Sequence, residues 1–300
     1  MKRKIVQIPI NENVEQKPLT NEAIKEVIKK IQQTITEMYV FPENIEKLNN
    51  KLQQELENHS YEDITDPAKL GEKVSQDLNS VIKDLHLRLV PIEHLRKGGR
   101  MDLKDQSIEY KILENNIGLI KIPSFPSIEE VKETIESTME AVKDTKALIF
   151  DMRECKGGHG ESVNYLRSYL FDDPNKEILY VYFRPNNPNN EIHKKKIQET
   201  PFKYLNPVYV LSGKKCGSAG EEFVFSMKIS KRAKIIGRTT AGAGHPCSIY
   251  QFPEYGLVFV VPIGRSYDPK TNKGWEGVGV SPDIDIEEED TLTKVLSLIK

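Results

Sequence analysis

The 300-residue sequence predicts an α/β protein with a mixed-sheet domain preceded by a small helical one. Three observations carry that reading. Apolar residues recur at intervals of three and four as far as Ile82, two strand–turn–helix units follow later in the chain, and several apolar runs have the length of strands.

Thr20 is placed to cap a first helix, on which Ile24, Val27, Ile28, Ile31, Ile35 and Met38 share one face. Phe41-Pro42 breaks it. A second helix carries Ile45, Leu48, Leu52 and Leu56, and a third opens at Asp66-Pro67, an N-cap with proline at the first helical position. That third helix carries Leu70, Val74, Leu78, Val81 and Ile82. LHLRLVPI then alternates as a half-buried strand does, which sets His86 at a helix-to-strand junction. The polar, glycine-bearing stretch 93–106 has no periodicity and divides a helical domain, 1–92, from an α/β domain, 106–300.

In the second domain, EYKILEN and IGLIKI read as a hairpin around Asn115-Asn116, and Ser127 with Glu130 forms a capping box for a helix. KALIFDMR is a buried strand that leads through a glycine turn into the helix ESVNYLRSYL. PVYVLSGKKCGSAGEEFVFSMKIS repeats that grammar. The runs AKIIG, CSIYQF and LVFVVPIG supply further strands for a mixed sheet, and RPNNPNNEIHKKK reads as a surface loop or flap.

Composition narrows the partners. With 43 basic against 45 acidic side chains, the chain has no electrostatic footprint for nucleic acid or an anionic membrane. No run reaches the roughly 18 apolar residues of a membrane span, and MKRKIVQIPINENVEQ lacks the apolar core of a signal peptide, so a cytoplasmic location is expected unless a leader has been removed. Cys155, Cys216 and Cys247 are too few for a disulfide framework, and no CxxC spacing marks a metal knuckle. No metal or other cofactor is expected.

Chemistry-bearing residues gather at turns. Ser218, after PVYVL and a glycine turn, opens a helix whose unpaired N–H groups suit a developing oxyanion; it can equally be a plain N-cap. Gly157-Gly158 can aim a backbone N–H into a cleft or simply form a tight turn. His86 can be a base or a helix cap, and Glu276, beside the sole tryptophan Trp275, can orient an imidazole or be an exposed turn acid. Cys216 is a rival nucleophile, and Cys155 and Cys216 flank these turns where a bulky thiol reagent would be expected to inhibit.

The ordered set KDLHL, FDMRECKGG, VYVLSGKKCGSAGEEF, IIGRTTAGAG, VPIG and WEGVGVSPDI resembles the serine peptidases of the C-terminal processing and tricorn-core family, which includes the interphotoreceptor retinoid-binding protein modules. The resemblance runs from about residue 20 to 290 and implies a crotonase- and Clp-protease-like fold for the second domain, with no PDZ insertion. It implies that Ser218 is the nucleophile, that the N–H groups of Gly158 and Ala219 form the oxyanion hole, and that the substrate is a peptide or protein. Gly242-Ala243-Gly244 stands where the family's Ser/Lys members carry lysine, so the Ser/His/Glu version with His86 and Glu276 is implied. Leu85 departs from the family's glycine or serine beside the histidine. The alternative within the family is a noncatalytic module that binds a retinoid or fatty acid.

Overall fold

A computed structural model describes residues 17–95, 108–185 and 187–299. In chain order the elements are α1 (Asn21–Met38), α2 (Ile45–Glu57), α3 (Pro67–Val81), β1 (Arg88–Pro91), the single turn α4 (Ile92–Leu95), β2 (Glu109–Leu113), β3 (Ile117–Lys121), α5 (Ile128–Val142), β4 (Ala147–Asp151) and α6 (Gly160–Ser168). Then come β5 (Glu177–Phe183), β6 (Ile192–Lys196), β7 (Val208–Ser212), α7 (Ala219–Ile229), β8 (Ala233–Gly237), β9 (Cys247–Phe252), β10 (Leu257–Pro262), β11 (Gly264–Tyr267), β12 (Ile284–Asp285) and α8 (Thr291–Leu298). Two compact units result. The first holds the described residues up to 95 with Tyr182–Glu191 and His245–Arg265, and the second holds the rest. The boundary stretch 93–106 lies outside the described residues from position 96 onward.

In the first unit the helix starts follow local chemistry. Thr20 Oγ1 accepts the Ala23 N–H at 3.2 Å, and Asp66 Oδ1 accepts the Ala68 N–H at 2.8 Å. Pro42–Asn44 forms a short 3₁₀ turn at the break between α1 and α2. The apolar faces of the three helices meet in one core, where Val27, Ile28, Leu48, Leu52 and Leu70 pack with Leu257, Phe259 and Val261. Here the structure corrects the sequence reading. CSIYQF and LVFVVPIG do not extend the α/β sheet; they are β9 and β10 of an antiparallel sheet ordered β1-β10-β9, with Leu89 opposite Phe259. β10 reads as a continuous apolar run because both its faces are covered: Val258 and Val260 cluster with Ile92, and the intervening residues join the helical core.

The second unit is built on a six-stranded sheet ordered β12-β8-β7-β4-β3-β2, parallel throughout except for the β2–β3 hairpin. Asn115 and Asn116 adopt φ of 61° and 59° at the hairpin turn, a conformation that asparagine tolerates better than most residues. The Ser127 N–H donates to Glu130 Oε2 at 3.0 Å at the start of α5. One face of the sheet is closed by Val295 of α8 against Ile149, Leu211 and Ile236. The segment read as a loop or flap contains a strand, β6, at IHKKK, whose polar side chains conceal the alternation by which strands are recognised. Among the described residues no helix is long and apolar enough to cross a membrane.

Charge pairing ties α2 to α3. Lys73 Nζ lies 3.2 Å from Glu55 Oε2 and 2.7 Å from Asp77 Oδ1, while Lys51 donates to Glu55 Oε1 at 2.5 Å. The Lys51 hydrogen bond, with those from Ser60 and Lys73, holds the Glu55 carboxyl down to about 2 against an ordinary 4.5. A depressed folded value stabilises the fold above the unfolded one and ceases to do so as pH falls through the folded one. Glu55→Gln should therefore lower Tm at pH 7, by about 2 °C if the loss is near 1 kcal/mol. The gap to wild type should narrow between pH 4.5 and about 2; a pH-independent gap in thermal scans would contradict this origin.

Candidate active site

Because β4 and β7 are parallel neighbours, the chain leaves both at the same edge of the sheet, where open α/β sheets carry their ligands. The Met152 N–H bonds Leu211 O at 3.0 Å, and the Gly217 N–H bonds Cys155 O at 2.9 Å, so the two departing turns stay paired beyond the strands. Ser218 is the second residue of a tight turn closed by the Gly220 N–H to Gly217 O at 3.0 Å. Its φ of 53° and ψ of −123° put a serine where glycine is the usual occupant, which costs backbone strain. Ordinary caps in this chain differ: Thr20 and Asp66 are extended, with φ of −87° and −94°. Ser218 begins a helix, but it does not have the backbone of a plain N-cap.

The glycine turn lies directly against it. A Cβ on Gly157, whose φ is 93°, would fall 2.6 Å from Ser218 Cβ and 3.0 Å from the Ala219 nitrogen. Gly158, with φ of 133°, pairs with Phe125, and a Cβ there would fall 2.0 Å from Phe125 O. The clamping bonds run from the Phe125 N–H to Gly157 O and from the His159 N–H to Phe125 O, each 2.8 Å, so neither uses the N–H of Gly158. Ala219 opens α7, and its N–H has no acceptor one turn back. The N–H of Ser218 is taken up by Glu221 Oε2 at 3.0 Å. The bonds that clamp these two turns use neither the N–H of Gly158 nor that of Ala219.

Glu276 belongs to the same unit, on the loop after Lys273. Its Oε2 accepts the Gly244 N–H at 2.5 Å, and the Gly277 N–H bonds Gly242 O at 2.7 Å. Trp275 anchors this loop, 2% exposed and stacked on Phe225 with ring centroids 4.6 Å apart. His86 lies in the first unit, in a turn before β1. Its N–H donates to Asp84 Oδ1 at 3.1 Å, and Asp84, 1% exposed, also receives His245 Nδ1 at 2.9 Å and the Tyr39 hydroxyl at 3.4 Å. A carboxylate only accepts, so Nδ1 of His245 carries the proton. Sequence reasoning gave no role to Asp84 or Glu221, and weighed His245 only as a metal ligand, which the absence of a ligand spacing disfavours. For Glu221 a signal existed, since Ser218-Ala219-Gly220-Glu221 has the spacing of a capping box.

Comparison with known proteins agrees with this arrangement of strands and turns. Residues 116–286 match Peptidase family S41, and residues 18–114 match the N-terminal domain of Peptidase S41 in eukaryotic IRBP. The chain belongs to peptidase family S41. It is 30% identical over 184 residues to the carboxy-terminal processing protease CtpA of Bacillus subtilis (strain 168), which covers 59% of this chain. It spans about a third of that relative's length, 35%. A lipoprotein from Streptococcus agalactiae has the same fold over 96% of this chain and 98% of its own, with 16% identity and a TM-score of 0.66. The photosystem II D1 C-terminal processing protease matches 92% of this chain and 97% of its own, with 13% identity and a TM-score of 0.57.

The thiols depart from their expected accessibility. Cys155 and Cys216 are both 0% exposed; burial pushes the Cys155 thiol up to about 12 and that of Cys216 well above its ordinary value. A bulky reagent has no path to either in the folded protein, and a protonated interior thiol is a poor nucleophile. Native protein should expose at most Cys247, which is half-buried, to a chromogenic disulfide reagent, and all three after unfolding. Fast titration of two thiols in the native state would refute this.

Proposed function

We propose that this chain is a serine peptidase in which Ser218 is the nucleophile, the N–H groups of Gly158 and Ala219 form the oxyanion hole, His86 is the general base and Glu276 is the supporting carboxylate. The observation that carries the reading is the strained turn of Ser218, which presents a hydroxyl at a helix N-terminus against the Gly157-Gly158 turn. His86 and Glu276 enter on their places in the ordered motifs. The substrate class is a peptide or protein.

In this chemistry the Ser218 oxygen bonds to the peptide carbonyl carbon while His86 accepts the hydroxyl proton, and the carbonyl oxygen becomes an anion. Its charge falls between two fixed N–H donors, each worth about 3 kcal/mol to the transition state. Collapse breaks the C–N bond, and His86 returns the proton to the departing amine. Water then repeats the sequence on the acyl-serine, releasing the acid and restoring the hydroxyl. Family relationship to IRBP makes a ligand-binding module the alternative outcome of the test.

A fluorophosphonate probe should label Ser218, and Ser218→Ala should remove both labelling and peptide hydrolysis with Tm unchanged. His86→Ala should lower kcat by at least about 10³. A chelator should leave hydrolysis unchanged, because no step of this chemistry passes through a metal. Absence of labelling and hydrolysis, with retinoid or fatty-acid binding that survives Ser218→Ala, would overturn the proposal in favour of the ligand module.

A further inference from the structure

Ser218 keeps a conformation that its own backbone disfavours, so something must hold it. The candidate is Glu221, one turn into α7 and 0% exposed. Its carboxylate receives four hydrogen bonds: the Ser218 N–H at 3.0 Å and the Ala243 N–H at 2.7 Å on Oε2, and the Gly242 N–H at 2.6 Å and the Thr240 hydroxyl at 2.5 Å on Oε1. Thr240 Oγ1 accepts the Val280 N–H at 2.7 Å in turn, which orients its own proton toward Glu221. The 240–243 loop is fixed independently of this carboxylate, by the Ala241 N–H to Cys216 O at 2.9 Å and the Gly277 N–H to Gly242 O at 2.7 Å.

Resting on the assignment of Ser218 as nucleophile, we infer that Glu221 is a positioning residue, whose fully bonded carboxylate holds the Ser218 turn in its strained conformation against the 240–243 loop. Three consequences follow from the geometry. The Ser218 N–H is withdrawn from the oxyanion position, leaving that task to Ala219. All four partners donate, three of them backbone N–H groups that can do nothing else, so the site suits an ionised carboxylate, even though burial raises the carboxyl above its ordinary value. An amide cannot substitute, because whichever way it turns, its NH₂ faces at least one backbone N–H.

The test uses the full chain with Glu221→Gln and Thr240→Val, and reads the fluorophosphonate labelling rate together with kcat and KM on a cleaved peptide. Wild type must first label at Ser218; if it does not, the nucleophile assignment fails and Glu221 is not at issue. If wild type labels, folded Glu221→Gln should label roughly 10²-fold more slowly, the loss expected for a nucleophile displaced by about 1 Å, with kcat falling in step and KM within about threefold. Thr240→Val, which removes one donor and leaves the Ser218 contact, should give a smaller loss of the same kind, and Thr240→Ser should restore it. A folded Glu221→Gln protein that labels at the wild-type rate overturns the inference. If Glu221→Gln does not fold, wild-type labelling by Thr240→Val overturns it instead.

Discussion

Parallel pairing of β4 with β7 is the constraint on which the candidate site depends. Leu148 through Asp151 lie opposite Val208 through Leu211, so two strands separated by a long stretch of sequence end level with each other. Each feeds a turn and then a helix, α6 after one and α7 after the other. Those helices are joined in the interior: the Arg167 guanidinium, 0% exposed, lies 3.2 Å from Glu222 Oε1 and donates to Asn164 Oδ1 at 2.6 and 3.0 Å. Removing Glu222 would strand the Arg167 guanidinium away from water, at a cost of about 3–5 kcal/mol. The strands below and the ion pair behind leave the turns little freedom.

Close approach then dictates residue choice. Gly157 has no room for a side chain because Ser218 and Ala219 occupy that space, and Gly158 has none because of the Phe125 carbonyl. The two glycines allow backbone N–H groups and a hydroxyl to crowd together where side chains would keep them apart. The loop carrying Glu276 is laced to the same region through Gly242 and Gly244, and a Cβ on Gly244 would meet the Glu276 nitrogen at 2.9 Å.

Much of this was legible in the sequence, for identifiable reasons. Helix starts at Thr20, Asp66 and Ser127 are written in local capping chemistry, and the hairpin at Asn115-Asn116 in tolerance of positive φ. Ser218 and the glycine pair stood out because strand, turn and helix follow one another within a few residues. Partnership was harder to read: β9 and β10 look like sheet strands in any context, and only the helices they cover reveal where they belong. β6 was hidden by lysines, and β12 by its two-residue length. Glu221 and Asp84 escaped because an acidic residue in a charged chain reads as solvent-facing, whereas both are buried and hydrogen-bonded.

The hairpin that completes the helical core also has a consequence for biosynthesis. α1 to α3 emerge from the ribosome long before Leu257, Phe259 and Val261, the residues that complete their core. Until then, those helices carry an uncovered apolar face, and contacts of such long sequence separation form slowly. The nascent chain therefore passes through a long window in which its helical portion is adhesive. A product truncated before residue 245 never leaves that window, making it a natural client for chaperones and for degradation.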